Sequence, residues 1–264
     1  MKIGLIGNGA IAGFVRSSLE SRGHSIDAVL IRPERLDALR ACDCASREMI
    51  CSPDELPDDL DLVADCAGHE ALRAYGENIL DAGHDLVTVS IGALADHDLN
   101  TRLSRAACNG GAKLHLASGA IGALDALRAA RTGAITRVRY TGRKPPKGWL
   151  GSPAEHKLDL HHMGQTPQVH FTGSAREAAL AYPKNANVAA AVALAGPGFD
   201  LTEVELIADP TISANIHEIR AEGDFGVFDF HIEGQSLPGN PRSSALAAMS
   251  AVSTILQHEN AIQF

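Results

Sequence analysis

Lys2-Ile3-Gly4-Leu5-Ile6-Gly7-Asn8-Gly9-Ala10-Ile11-Ala12 decides the reading of the fold. Residues 2–6 form an apolar strand run. Gly7 to Ala12 then match G-x-G-x-x-A, and a helical pattern opens behind them at Ile11, Phe14, Val15 and Leu19. Gly7 permits a tight turn that a Cβ would block. Gly9 lets the backbone approach a pyrophosphate, and Ala12 is small enough for the helix to pack on the strand. The free N–H groups of the helix start would face the anion. The turn therefore reads as a dinucleotide site, with Gly7, Asn8, Gly9, Ala10 and Ile11 as cofactor contacts. A plain strand-to-helix turn is the competing reading, since glycines also serve ordinary turns.

Outward from this turn, strand and helix alternate. Strands are expected at 26–31, 62–66, 86–90 and 113–117, and helices from Pro33, over 70–82 and over 96–107. Ser52-Pro53-Asp54-Glu55 resembles a capping box. Repeated units of this length predict a doubly wound parallel sheet. After Ser118-Gly119 the pattern changes. A helix is expected over 121–130, then period-two alternation over 135–140, 203–209, 212–222 and 225–233, which predicts a mixed sheet with one covered face. An alanine-rich helix lies between, over 186–195. The tail reads as a helix over 241–258, with Leu246, Met249, Val252 and Leu256 on one face, packing back on the first domain. The expected division is 1–119, 120–240 and 241–264.

The bulk numbers exclude several classes. The formal net charge is −9 with no basic run, which argues against nucleic-acid binding. No apolar run approaches the roughly 20 residues of a membrane span. The start reads as a strand rather than a leader, so no signal peptide is expected. Five cysteines without a C-x-x-C pair fit free thiols in a reducing cytoplasm.

Candidate chemistry sits in a few places. The second strand ends at Ile31-Arg32-Pro33, without the acid that holds a ribose 2′-hydroxyl. Arg32 favours NADP, or tolerance of NAD and NADP; a solvated loop arginine is the alternative. Twelve histidines compete for a proton-transfer role. His156, His161 and His162 lie in a polar stretch without the helical spacing of a metal site, so no metal is expected. His217 shares a strand face with Ile219 and Ala221 and points inward; on alternation alone, a hydrogen-bonded core histidine is the more ordinary reading. In Tyr182-Pro183-Lys184-Asn185-Ala186-Asn187, Asn185 suits a helix N-cap. Asn187 then falls in the first turn, where a second amide has less structural reason. Lys184 offers a point charge to a substrate carboxylate, with an ordinary surface lysine as the alternative.

The chain resembles the L-aspartate dehydrogenases. The likeness is carried by Gly7 to Ile11, Asp65-Cys66-Ala67-Gly68, Val89 to Leu94, Ser118 to Gly122, Lys144-Pro145-Pro146 with Trp149, Tyr182 to Ala189, Ala208-Asp209-Pro210, Asn215-Ile216-His217 and Asn240-Pro241. The resemblance implies a Rossmann domain plus an α/β catalytic domain, usually as a homodimer. It implies interconversion of L-aspartate with oxaloacetate and ammonia through iminoaspartate, using NAD or NADP, and a link to quinolinate and NAD synthesis. It places the catalytic histidine at His217. It places cofactor contacts at Asn187 and near Ala120. Cys66 and Ala67 are further cofactor candidates, and Lys184, Asn187 and His217 are the candidates toward substrate. Arg143 and Gly148 depart from the family's proline-rich loop, as does Arg242-Ser243-Ser244 further on. The alternatives are a Rossmann oxidoreductase for another amino or keto acid, and a non-catalytic NADP(H) sensor.

Overall fold

Strand β1 (Lys2–Ile6) is buried from its second residue to its last, the continuous pattern of a strand covered on both faces. The computed structural model describes residues 1–41, 48–183, 185–238 and 240–262. These fall into two units. The first comprises Met1–Ser90, His97–Ala117 and the tail from Ala248; the second comprises Ile91–Asp96 and Ser118–Ala247.

In the first unit β1 leads into α1 (Ala10–Glu20), β2 (Ser25–Leu30), α2 (Pro33–Ala41), β3 (Met49–Ile50) and β4 (Leu62–Asp65). Then come α3 (His69–Asp81), β5 (Leu86–Thr88), α4 (His97–Gly110) and β6 (Leu114–Leu116). The strands form one parallel sheet in the order β3-β2-β1-β4-β5-β6, which reverses direction between β1 and β4. That reversal is where such sheets bind dinucleotides. Before the short 3-10 turn Pro53–Glu55, Ser52 and Glu55 form the expected capping box.

The second unit contains α5 (Leu124–Ala130), β7 (Ile135–Lys144), β8 (Gln168–Ser174), α6 (Ala175–Ala181), α7 (Asn187–Ala195) and β9 (Thr202–Ala208). It continues with β10 (Asn215–Gly223), β11 (Gly226–Gly234), β12 (Ser236–Leu237) and β13 (Asn240–Ser244). Its main sheet has the order β11-β10-β7-β9-β8. Only β7 and β9 run parallel, so the sheet is mixed. One face carries ion pairs such as Arg137–Glu203 and Arg220–Asp229. The other buries Val138, Tyr140, Val204, Leu206, Ile219 and Ala221. Helix α7 is buried nearly all round, and its alanines let it lie close to its neighbours.

Helix α8 (Ala245–Leu256) returns to the first unit, where Ala251, Val252 and Ile255 join Ile3, Leu5, Val15 and Leu62 in one core. It is shorter than the sequence suggests. Residues 240–244 pair as β13 with β12, so the helix starts at Ala245 rather than at residue 241. Met249 is half exposed, and the buried stripe is Ala248, Ala251, Val252 and Ile255. The structural units also differ from a simple cut at 119/120. Residues 91–96 belong with the second unit, which runs on to Ala247. No described helix is long and apolar enough to cross a membrane.

Candidate active site

The turn after β1 shows why its two glycines differ. Gly7 has φ +94°, and a Cβ there would stand 2.9 Å from the Cβ of Ala67. Glycine is thus required by both backbone conformation and the closeness of the strand ends. Gly9 is different. It has an ordinary φ of −81°, and a Cβ on it would meet nothing within 4 Å. The protein itself gives no reason for glycine there. Gly9 is also the N-cap of α1, offers no side-chain cap, and is followed by no acid in the first turn. The first N–H groups of α1 are left without a capping side chain, as an anion site requires.

Ala67 is held in place by Asp65. The Ala67 N–H donates to Asp65 Oδ1 at 2.9 Å, while the Thr88 and Ser90 hydroxyls donate to Oδ2 at 2.8 and 2.6 Å. Burial pushes the Asp65 carboxyl above its usual range, against these donors. Burial, with the nearby Asp65 charge second, pushes the Cys66 thiol up, so it stays protonated. Asn8, Ala10 and Ile11 lie at the turn and the start of α1, and Arg32 is exposed just beyond β2. Ala120 and Asn187 belong to the second unit.

In the second unit, β10 and β7 set a group of polar side chains on the buried face of the sheet. His217 is 4% exposed and sits opposite Gly142. Its Nδ1 hydrogen-bonds the Tyr140 hydroxyl at 2.8 Å, and Nε2 has no hydrogen-bond partner among the described residues. A Cβ at residue 142 would stand 2.6 Å from the Tyr140 oxygen, so Gly142 makes room for this pair. Two residues further along β7 is Lys144, whose Nζ lies 5.0 Å from the centre of the Trp149 ring. Gly148 gives its stem space, since a Cβ there would touch Lys144 Cβ at 3.2 Å. Trp149 is fully buried and donates its indole N–H to the Ile207 carbonyl at 3.0 Å. His170 packs edge-on against Trp149 and bonds the Tyr182 hydroxyl through Nδ1 at 3.1 Å. His170 Nε2 is buried without a partner.

The electrostatics of this group are those of an enclosed site without an acid. Burial, then the Lys144 charge, takes His217 down to about 3. Burial, with Lys157 and Lys144 adding to it, takes His170 down to about 4. Burial lowers Lys144 itself to about 8. The Tyr140 hydroxyl is pushed up by burial and remains protonated. The result is a neutral imidazole with one open nitrogen, beside an ammonium that makes no ion pair among the described residues.

Other sequence candidates fall elsewhere. Asn187 is the first residue of α7, and its Oδ1 accepts the Gly92 N–H at 2.8 Å, tying residues 91–95 to that helix. Asn185 is not the N-cap; Ala186 is, without a side-chain cap, and Asn185 instead donates to the Gly148 carbonyl at 3.3 Å. Lys184 lies outside the described residues. His162 pairs with Asp159 at 3.1 Å in an exposed stretch. The described His and Asp side chains that do approach metal-ligand spacing are Asp85, His115 and His258, in the first unit. There Asp85 Oδ2 already bonds His115 Nε2 at 3.0 Å and Oδ1 accepts the Lys113 N–H at 2.7 Å, which suffices as a structural bracket. Sequence reading passed over Tyr140, Lys144 and His170. The alternation of β7 put Tyr140 on the covered face, but the missing acid around Lys144 is a tertiary fact.

The first unit has the strand order of a dinucleotide-binding sheet, and the class is an oxidoreductase with an NAD-binding domain. Residues 3–117 match the model "Homoserine dehydrogenase, NAD binding domain", and residues 125–258 match "Aspartate dehydrogenase, C-terminal". An L-aspartate dehydrogenase of Ruegeria pomeroyi is 56% identical over 263 residues, covering 100% of this chain and 94% of its own length. One from Ralstonia nicotianae is 43% identical, with 99% of each chain covered. The crystal structure of aspartate dehydrogenase from Thermotoga maritima superposes with a TM-score of 0.72 at 28% identity, covering 100% of this chain and 99% of that one. The chain belongs to the aspartate dehydrogenase family.

Proposed function

We propose that the protein is an NAD(P)-dependent L-aspartate dehydrogenase, interconverting L-aspartate with oxaloacetate and ammonia through iminoaspartate. The observation that carries this reading is His217, a neutral imidazole fixed through Nδ1 by Tyr140 and open at Nε2. It lies in the half of the chain that matches the aspartate dehydrogenase model. When bound, the nicotinamide supplies the acceptor for the Cα hydride. The chain supplies the rest. The α1 N-terminus and the Gly7–Gly9 turn receive the pyrophosphate. The rigid β10 strand presents Nε2 of His217, which takes the proton released as water adds to the imine. It returns that proton to the departing amine in the second half of the reaction. Such a positioned base contributes roughly 10²–10⁴-fold.

Gly7, Asn8, Gly9, Ala10, Ile11, Cys66 and Ala67 form the cofactor surface of the first unit in this reading, and the family resemblance also assigns Ala120 and Asn187 to the cofactor. Lys184 and Asn187 are assigned toward substrate. Arg32, exposed beyond β2 where an acid would select NAD, supports NADP as the preferred cofactor. The family resemblance supports a homodimer, and cysteines without a C-x-x-C pair support a reducing cytoplasm.

Oxaloacetate, ammonium and NADPH or NADH, mixed with purified protein and followed by nicotinamide absorbance, test the activity. His217→Ala should lower kcat by about 100-fold or more while the NADPH Kd moves by less than about twofold. A kcat within about twofold of wild type rejects His217 as the proton carrier. NADPH binding without reduction of any keto acid points instead to a dinucleotide sensor.

A further inference from the structure

We propose that Lys144 binds a carboxylate of the substrate and so holds the amino diacid against the open nitrogen of His217. This rests on the dehydrogenase reading and adds to it the residue that recognises an acidic substrate.

The geometry is specific. Tyr140, Gly142 and Lys144 alternate onto the buried face of β7, and Gly142 pairs with His217 on β10. The lysine and the imidazole therefore sit on one face, with Lys144 two residues along β7 from the position opposite His217. The Lys144 ammonium lies over the Trp149 ring, and Gly148 clears the path of its stem. A cation in such surroundings normally has an acid beside it, because an unpaired enclosed charge is costly. Here no carboxylate pairs with Lys144 among the described residues. The nearby acid Asp209, just after β9, is committed elsewhere. It takes Arg143 at 3.0 Å and both the N–H and hydroxyl of Thr211, at 2.8 and 2.6 Å. His217 and His170, the titratable groups that feel Lys144, carry no negative charge. The missing counter-charge is therefore left for a ligand. Lys144 is half-buried, and the Trp149 ring under its ammonium lowers the local polarity and strengthens a charge-assisted hydrogen bond to such a ligand.

The test uses the full chain and succinate, a four-carbon dicarboxylate with no amine to react. Wild type, Lys144→Met and Lys144→Arg are compared for the KM of oxaloacetate, competitive inhibition by succinate, direct succinate binding by calorimetry, and the NADPH Kd. Lys144→Met should raise the oxaloacetate KM and the succinate constants by at least about tenfold, the low end for a hydrogen bond between charged groups. The NADPH Kd should stay within about twofold, and Lys144→Arg should recover part of the loss. Lys144→Gln replaces Lys144→Met if the latter does not fold. Succinate constants that change less than about tenfold in the truncated variant, or a matching loss of NADPH affinity, overturn the proposal. Succinate binding is read without turnover. A wild type that binds succinate through Lys144 yet shows no aspartate or oxaloacetate chemistry would sink the dehydrogenase reading and leave the anion site standing.

Discussion

Replacing Gly9 with alanine adds one methyl group where the free protein has room for it. The new Cβ would meet nothing within 4 Å, and φ −81° with ψ −170° suits any residue. Stability should be unchanged or rise by about 0.4–1 kcal/mol, because alanine restricts the unfolded chain. In the proposed reading the methyl would stand on the backbone that receives the pyrophosphate and hinder its approach. Losing one charge-assisted hydrogen bond there costs about 1.5–3 kcal/mol, or roughly 10- to 150-fold in Kd. Gly7→Ala is the companion. Its φ of +94° and its 2.9 Å approach to Ala67 make an added Cβ a defect of the protein itself. The strain costs about 1–3 kcal/mol of folding stability and displaces the turn as well. Fluorescence titration with NADPH and urea unfolding read the two quantities separately. Gly9→Ala should lose affinity alone, while Gly7→Ala should lose both. Wild-type NADPH affinity in Gly9→Ala, or equal destabilisation of the two variants, would refute the assignment of this turn to the cofactor.

Succinate affinity in wild type should hold below pH 8 and weaken as pH rises through the Lys144 value of about 8, by up to about tenfold per unit as the ammonium discharges. The groups facing that lysine do not mimic the effect. His217 from β10 and His170 from β8 are already neutral there, Tyr140 and Tyr182 are pushed upward, and Arg143 is paired with Asp209. Calorimetry from pH 6 to 10 checks it, and a flat profile contradicts the assignment. Trp149→Ala empties the wall behind Lys144 and His170 and strips the Ile207 carbonyl of its donor. The second unit should lose about 3–5 kcal/mol in denaturant unfolding. Arg32→Asp should lower the ratio of NADPH to NADH affinity by about tenfold or more if the guanidinium meets a 2′-phosphate, and an unchanged ratio would make Arg32 a solvated loop residue.

The parts of the site legible in the sequence are those fixed by local periodicity. The opening strand, turn and helix read directly, because a parallel strand covered on both faces leaves an unbroken apolar run before its glycines. The inward direction of His217 also read directly, because β10 has one charged face and one covered face. Strand β8 escaped because it is an edge strand with only His170 fully buried, so its alternation is faint. The capping box of Ser174 and Glu177 at the start of α6 was a usable signal that stood unread. Residues 91–96 follow β5 in the chain, yet they belong to the second unit through bonds such as Gly92 to Asn187, and no local pattern announces that. Lys144 was visible only as part of a Lys-Pro-Pro run. Its meaning depends on which acids lie near it in space.

The low basicity of His217 in the free protein fits this chemistry. Two causes depress it: burial, and the positive charge of Lys144. Its hydrogen-bond partner is a tyrosine that stays protonated, which orients the ring but does not stabilise an imidazolium as a carboxylate would. The imidazole is therefore neutral across the physiological range, ready to accept a proton at Nε2 but with little drive to do so. A dicarboxylate bound at Lys144 offsets the second of these causes and leaves the first, burial, in place. It cancels the field that suppresses His217 and brings negative charge beside the ring, so the imidazole becomes a stronger base only while substrate is present. Proton uptake is then coupled to occupancy by an acidic substrate. A substrate that placed no carboxylate at Lys144 would meet the same imidazole in its weakly basic state. On this reasoning, discrimination in favour of a substrate that fills the Lys144 position operates through kcat as well as through binding.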